Sequence, residues 1–334
     1  MRFGWLILAV LLGGGAVPAT AQSTPSDPAT SGLGIRLLDA PGDRRDDPRA
    51  QVYIVDHVQP KASLSRRVEV VNGTASAGQV ALYPAAAEIA EGSFGVRPGR
   101  GENDLTGWMR VTPATLDLAP GQKGVATVEI DVPAGAGGGE RYAALMAEMT
   151  TRSAAPGIAV ASRVGVRVYL SVGGPAEPAS DLEISTLQAV RRPDGRPAVT
   201  AQVRNTGDRA LDMSGTLELS EGPGGLSAGP FPAELGTTLA PGDSSAVDVV
   251  LEEAIQGGPW RAVLTLRSGR LERTVEGTIT FPDAAGSAAD PVTAVPLVQN
   301  PRIVVPVAAG LLAAVVVSLG VVLLTRRHNR RSSP

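Results

Sequence analysis

The sequence predicts an all-β fold, with two tandem immunoglobulin-like β-sandwiches followed by a single C-terminal transmembrane helix. Three observations predict this organisation. Apolar and polar residues alternate with a period of two over most of the chain, which is typical of strands with one buried face. The stretch LAPGQKGVATVEIDV at 118–132 returns as LAPGDSSAVDVVLEE at 239–253, and residues 303–324 form an apolar run without a charge.

The N-terminal residues 1–21 have the composition of a secretory signal peptide. Arg2 is followed by an apolar run, and the segment ends in the small-x-small pattern Ala19-Thr20-Ala21. A first membrane-spanning helix is the alternative interpretation, but the run is shorter than the ~20 apolar residues that a bilayer core requires. Residues 22–32 are rich in Pro, Ser and Thr, and we expect them to form a disordered leader.

The strand periodicity is clear in residues 164–172. Valine and leucine occupy every second position there, and we expect these side chains in the core. The residues between them are expected to face solvent: Gly165, Arg167, Tyr169 and Ser171.

The Pro- and Gly-rich segment GGPAEPAS at 173–180 divides the exported part of the chain. It separates a first sandwich, residues 33–174, from a second sandwich, residues 181–282. A single large barrel is the alternative architecture. The break favours two domains because it contains no core residue.

The repeated stretch belongs to a longer pattern that occurs once in each sandwich. In both copies an Asn-containing strand end comes first, LAPG follows, and a Gly-rich approach leads to an aromatic residue, Tyr142 or Trp260. Pro-Gly fits the two central positions of a type II turn, because Pro fixes φ and Gly accepts a positive φ. We expect each aromatic residue to anchor the packing at the start of its strand.

The C-terminal part predicts a membrane anchor. Residues 283–302 form a Pro- and Ala-rich linker, residues 303–324 are long enough to span a bilayer, and residues 325–334 form a basic tail. The excess of arginine in the tail marks the cytoplasmic side. The chain is therefore predicted to be a single-pass protein of the cell membrane with both sandwiches outside.

The composition argues against catalysis. The chain has no cysteine, and His57 is its only histidine outside the tail. No nucleophile elbow, phosphate loop or metal-binding motif accompanies that histidine, so we predict a protein that is not an enzyme and has no cofactor or metal.

The acidic segment 39–47 contains two arginines and is interpreted as a turn with compensated charges rather than a calcium site. A net charge of -3 gives no reason to expect nucleic acid as a partner.

The first sandwich contains a long segment, Pro84–Thr106, that the second sandwich lacks. Long ordered insertions on a sandwich often carry recognition. The ligand-binding candidates in and beside it are Tyr83, Glu88, Phe94, Arg97, Arg100 and Trp108. An extra hairpin packed on the edge of the sheet is the alternative interpretation.

The first domain resembles the N-terminal domain of the WxL-interacting proteins of Gram-positive bacteria. The matching stretches are YIVDHVQPKASLSRRVEVVN (53–72), ALYPAAAEIAEGSFGV (81–96), VTPATLDLAPGQKGVATVEIDVP (111–133) and RYAALMAEM (141–149). In that family the first domain is described as peptidoglycan-binding and the second as binding partner or host proteins. The resemblance implies a cell-surface protein of an actinobacterial type that binds the cell wall.

The predicted function is therefore binding of peptidoglycan or another cell-wall component through the first sandwich. The alternative is an accessory or scaffold subunit that pairs with another surface or membrane protein through an open sheet edge.

Overall fold

The computed structural model describes residues 32–152, 159–233, 236–252 and 255–297. The predicted signal peptide, transmembrane helix and basic tail lie outside these residues, as does all of the leader except Gly32. Within the described ranges, none of the helices has the length and apolar character needed to cross a membrane.

The first sandwich consists of two packed sheets. One has the strand order β1-β3-β8-β6, and the other has the order β2-β10-β9-β4-β5, with β7 also paired to β4. All these pairs are antiparallel except that of β2 with β10. The elements are β1 (Leu33–Leu37), α1 (Pro48–Val52), β2 (Ile54–Val58), β3 (Ser63–Asn72), β4 (Gly78–Ala90), β5 (Ser93–Val96), α2 (Asp104–Trp108), β6 (Met109–Thr112), β7 (Thr115–Leu118), β8 (Lys123–Asp131), β9 (Gly139–Arg152) and β10 (Ala159–Val172).

The second sandwich repeats this arrangement. Its sheets have the orders β17-β12-β11-β20 and β15-β14-β18-β19-β22, β21 also pairs with β11, and β13 pairs with β16. The strands are β11 (Leu182–Arg191), β12 (Pro197–Asn205), β13 (Leu211–Asp212), β14 (Ser214–Ser220), β15 (Ala228–Pro232), β16 (Thr238–Leu239), β17 (Ser244–Val250), β18 (Trp260–Ser268), β19 (Leu271–Ile279), β20 (Ser287–Ala288), β21 (Val292–Thr293) and β22 (Val295–Pro296).

Each sandwich has its own core. The alternating residues of β8, among them Val128 and Ile130, are fully buried in the first core, and Trp260 and Leu264 are buried in the second. Among the described residues, strand pairs form only within 33–172 or within 182–296. The architecture is therefore two sandwiches in series and not one barrel.

The segment predicted as a linker at 283–302 needs a correction over most of its length. Three short strands, β20, β21 and β22, pair with β11 and β19 of the second sandwich. Ala294 is buried in the second core. The sandwich therefore continues to about residue 297, because these residues cover sheet edges that would otherwise lack backbone partners.

The repeated LAPG stretch forms the same turn in both sandwiches. Gly121 and Gly242 have φ values of 74° and 83°, and a hydrogen bond of 3.0 Å closes each four-residue turn. These are features of the predicted type II turn.

A fully buried asparagine holds each of these turns. In the first sandwich Asn72 donates through Nδ2 to the carbonyl of Leu118 (2.9 Å), and in the second Asn205 donates to Leu239 (3.1 Å). The backbone carbonyls of the two asparagines also accept from Gly121 and Gly242. We call each buried asparagine with these hydrogen bonds an asparagine clamp. The clamp satisfies polar groups that burial would otherwise leave without partners.

Candidate functional site

The predicted insertion Pro84–Thr106 forms a hairpin and a short helix. Strand β4 continues to Ala90, turns, and pairs with β5 at the edge of its sheet, and α2 follows with a capping box at Asn103. Opposite residues of an antiparallel pair share a face and alternate along each strand. The register therefore places Phe94 with Ile89 on one face of the hairpin, while Glu88 lies on the other face.

The six predicted ligand-binding residues consequently do not converge on one site. Glu88 pairs with Arg97 at 2.9 Å on the solvent face, where both side chains are about half exposed. Trp108 packs partly on the first core, and the guanidinium of Arg141 lies 4.8 Å from its ring centre. Phe94 is buried against the second sandwich.

Tyr83 and Arg100 form a separate polar cluster on the outer face of the sheet. The guanidinium of Arg100 lies 3.9 Å from the centre of the Tyr83 ring, and the Tyr83 hydroxyl donates to Glu148 at 2.6 Å. Arg163 also donates to Glu148, at 2.9 Å. Burial raises the pKa of Tyr83, and the hydrogen bond from Tyr83 lowers the pKa of Glu148.

The other face of the hairpin makes a contact between the sandwiches that the sequence did not reveal. Phe94 packs on Tyr169 with ring centres 5.3 Å apart, and Tyr53 and Tyr142 each lie 5.9 Å from the same ring. Ala210 of the second sandwich closes this cluster. At the hairpin tip the Gly92 carbonyl accepts from the backbone N–H of Thr238 at 2.7 Å.

The prediction that Tyr169 and Ser171 face solvent is therefore wrong. Tyr169 is 0% exposed and Ser171 is 1% exposed. Tyr169 lies on the outer face of its sheet, as the alternation requires, but the second sandwich and the hairpin cover it. Its hydroxyl donates to Asp212 at 2.8 Å, and burial raises its pKa.

Ionic groups surround this aromatic cluster. Arg167 donates to Asp212 at 2.9 Å, and Arg49 Nε lies 2.8 Å from the other oxygen of Asp212 at an angle outside hydrogen-bond geometry. The Arg49 Nη1 donates to the Ala210 carbonyl at 2.8 Å. These contacts cross from the first sandwich to the second.

Glu140 and Arg209 form a buried pair in the same interface. Glu140 accepts from the backbone N–H of Ala210 at 2.6 Å and from the Tyr142 hydroxyl at 2.9 Å, and its other oxygen is 3.9 Å from Arg209 Nε. Burial raises the pKa of Glu140 and lowers the pKa of Arg209 to about 10. Desolvation therefore opposes both charges more than their attraction offsets it, as expected for a distant buried pair.

Two cavities bordered by described residues lie along the interface, and neither is lined by any of the six predicted residues. One of about 380 Å³ is bordered by Arg44, Arg209 and Arg270, and one of about 480 Å³ by Tyr53, Arg167 and Met213. Arg49 borders both. Domain interfaces are common places for ligand sites.

An open sheet edge lies at the N-terminal end of β10, at the opposite end of the strand from Tyr169. This strand pairs with β9 along its whole length but with β2 only over Val168–Val172. Within the described ranges, residues 159–167 therefore have a ladder partner on one side only. Ala161 and Arg163 are exposed there, and Val166 points into the core.

His57 and two aspartates of the acidic segment 39–47 have structural partners. His57 Nε2 lies 2.8 Å from the Gly174 carbonyl, Asp39 accepts from Arg67, and Asp47 caps α1 by accepting from the Arg49 backbone N–H. In the described part of the chain, no group of three or more potential ligands could hold a metal ion.

No protein-family model and no curated protein matches this chain. Solved structures that resemble it include the Pseudomonas aeruginosa CupB2 chaperone, with a TM-score of 0.36 and 14% identity over 68% of this chain and 97% of that chain. The Escherichia coli chaperone DraB has a TM-score of 0.34 and 11% identity over 79% and 95%. The CsuC–CsuE complex of Acinetobacter baumannii Csu pili has a TM-score of 0.35 and 12% identity over 66% and 94%. The likeness does not extend beyond an all-β, immunoglobulin-like architecture.

Proposed function

We propose that this chain is a non-catalytic cell-surface protein, anchored by residues 303–324, that binds another protein by strand addition along β10. The observation that supports this proposal is the open edge at residues 159–167. Such an edge offers a row of unpaired backbone N–H and C=O groups to an extended segment of a partner. No proline interrupts these residues.

The side chains along this edge define the chemistry of the partner segment. Val166 is buried and Val164 half-buried on the core side, while Arg163 is exposed on the outer side. A segment paired in register would extend both faces of the sheet. It would therefore place β-branched residues beside the valines and small or acidic residues beside the arginine.

Crosslinking from the edge tests this proposal in the full-length chain in its own membrane. A photoreactive residue replaces Ala161 on β10, and the matched control carries it at Ala246, which is also an exposed alanine on an edge strand. We expect an adduct from position 161 that maps to an extended, alternating segment of one partner, and no such adduct from 246. Gly165→Pro should abolish the adduct while the circular dichroism spectrum is retained.

Equal adduct formation from positions 161 and 246 would contradict strand addition on β10. The same conclusion would follow if the crosslinked peptide came from a helix or lacked alternation.

Binding of peptidoglycan or another wall component is the second candidate, and one observation favours it. The Glu88–Arg97 pair stands exposed on a hairpin whose other face is held by the second sandwich, so a wall polymer would meet a rigid polar surface. Retention on purified cell walls should fall in the Glu88→Gln, Arg97→Gln variant. It should be unchanged in the matched Arg110→Gln, Asp131→Asn variant, which removes another exposed pair; equal loss in both variants would contradict a site at the hairpin.

A further inference from the structure

The smaller interface cavity, which we call the seam cavity, is unusually rich in arginine. Its volume is about 380 Å³, and its charged lining consists of Arg44, Arg49, Arg209, Arg270, Asp47 and Glu177. Four guanidinium groups and two carboxylates give this lining a formal charge of +2. The lining comes from both sandwiches and from the segment 173–180 between them.

The two carboxylates are already engaged. Glu177 Oε1 lies 2.7 Å from Arg44 Nη2 and also contacts Arg209 Nη1, so one oxygen faces two guanidinium groups. Asp47 accepts from the backbone N–H of Arg49 at 2.9 Å, where it caps α1.

Three carboxylates outside the lining also face these arginines: Asp212 lies 2.8 Å from Arg49 Nε, Asp46 lies 3.7 Å from Arg270 Nη1, and Glu140 lies 3.9 Å from Arg209 Nε. None of these three contacts is a hydrogen bond, so the guanidinium N–H groups still lack acceptors.

Four guanidinium nitrogens at this site have no hydrogen-bond acceptor. They are Nη1 of Arg44, Nε and Nη2 of Arg49, and Nε of Arg209. The three side chains are 3%, 9% and 7% exposed. A buried donor without an acceptor costs free energy, and this cost is greater for a charged group.

The positive field in the seam cavity also acts on Arg209 itself. After burial, the neighbouring charge of Arg44 is the largest cause that lowers the pKa of Arg209 to about 10. An anion among these guanidinium groups would reduce this repulsion. Arginine presents several N–H donors in a planar fork, which suits the oxygens of a phosphate or carboxylate.

We propose that the seam cavity binds a small tetrahedral oxyanion, either inorganic phosphate or sulfate or the phosphate group of a larger molecule. The anion accepts from Arg44 and Arg49 of the first sandwich and from Arg209 of the second, and so bridges the two. The cavity is open to solvent beside Arg270 and Glu177, which are about 46% and 33% exposed. This site is independent of the strand-addition edge on β10.

Isothermal titration of the full-length, detergent-solubilised protein with inorganic phosphate tests the proposal, with chloride at equal ionic strength as reference. We expect saturable binding of phosphate and not of chloride. Titration with glycerol 3-phosphate distinguishes the sources: comparable binding assigns the site to a phosphate group on a larger molecule, and binding of inorganic phosphate alone assigns it to the free ion.

Two surface arginines provide a matched comparison. Arg270→Gln should weaken phosphate binding about 5- to 10-fold, because one positive charge leaves the rim. Arg273→Gln should have no effect, although Arg273 is equally exposed, lies three residues away and also pairs with an aspartate, Asp181.

A third variant should act in the opposite direction. Glu177→Gln removes the carboxylate that competes for Arg44 and Arg209, and phosphate should bind more tightly by a similar factor. The proposal is overturned if phosphate gives no more binding than chloride, if Arg270→Gln and Arg273→Gln behave alike, or if Glu177→Gln weakens binding.

Discussion

The two sandwiches share a repeated unit, but the aromatic residue that ends the unit has a different role in each. In both, a buried asparagine clamps an LAPG turn through equivalent hydrogen bonds to residues two, four and about forty positions away. The aromatic residue that follows lies in different surroundings. Trp260 is 2% exposed inside the second core, whereas Tyr142 packs on Tyr169 between the sandwiches.

This difference shows what each part of the repeat does. The turn and its clamp are needed to build a sandwich, so both copies keep them. The aromatic position can serve either the sandwich's own core or a neighbouring domain. In the first sandwich this aromatic residue lies on an outer face that is covered by the second sandwich and by the β4–β5 hairpin.

The largest expected effect separates the two aromatic residues. Trp260→Ala should lower the free energy of unfolding by about 3–5 kcal/mol, because it leaves a cavity in the second core. Tyr142→Ala should cost only about 1–2 kcal/mol, since it removes an aromatic contact and one hydrogen bond at the interface. Urea unfolding followed by circular dichroism measures both, and equal losses would contradict the distinction.

The asparagine clamps should be equivalent. Asn72→Ala and Asn205→Ala should each cost about 2–3 kcal/mol, because each leaves buried carbonyls and a backbone N–H without partners. The two losses, measured in the same urea titrations, should agree to within about 1 kcal/mol. A large loss for one variant and none for the other would show that the repeated sequence does not have a repeated role.

The smallest effect concerns the interface carboxylate Glu140. Burial raises its pKa in the folded protein above the ordinary value near 4.5. Between pH 4.5, the ordinary pKa of the unfolded chain, and the raised pKa of the folded state, the folded protein binds more protons than the unfolded chain. The contribution of Glu140 to stability therefore falls as pH rises. Glu140→Gln can still accept from Ala210 and Tyr142 and should remove that decline.

Urea unfolding of the two proteins at a series of pH values measures this contribution. Relative to that of Glu140→Gln, the free energy of unfolding of the wild type should fall as pH rises above 4.5. A difference that changes in the other direction would mean that pairing with Arg209 outweighs burial.

Much of the fold follows from local sequence, but the interface does not. Period-two alternation identifies the strands, and Pro-Gly identifies both turns, because these signals depend on a few neighbouring residues. Alternation placed Tyr169 on the outer face correctly. It could not show that another domain covers that face, since this depends on residues more than forty positions away, such as Asp212.

The other differences have similar causes. Strands β20, β21 and β22 have two residues each, which is too short for a periodic pattern. Arg49 lies in a five-residue helix, α1, and nothing in its neighbours indicates contact with Ala210, which is 161 residues away. The separation of Phe94 from Glu88 follows from the register of β4 and β5, which composition does not determine.

The hairpin of the first sandwich holds the second sandwich in place. Hydrogen–deuterium exchange of Phe94→Ala tests this claim most directly, with Val96→Ala on the same strand as control, because Val96 is 40% exposed and Phe94 is buried in the interface. We predict faster exchange of the Ala210 and Thr238 amides, both in the second sandwich, for Phe94→Ala alone. Exchange that changes only within residues 33–172 would contradict the claim.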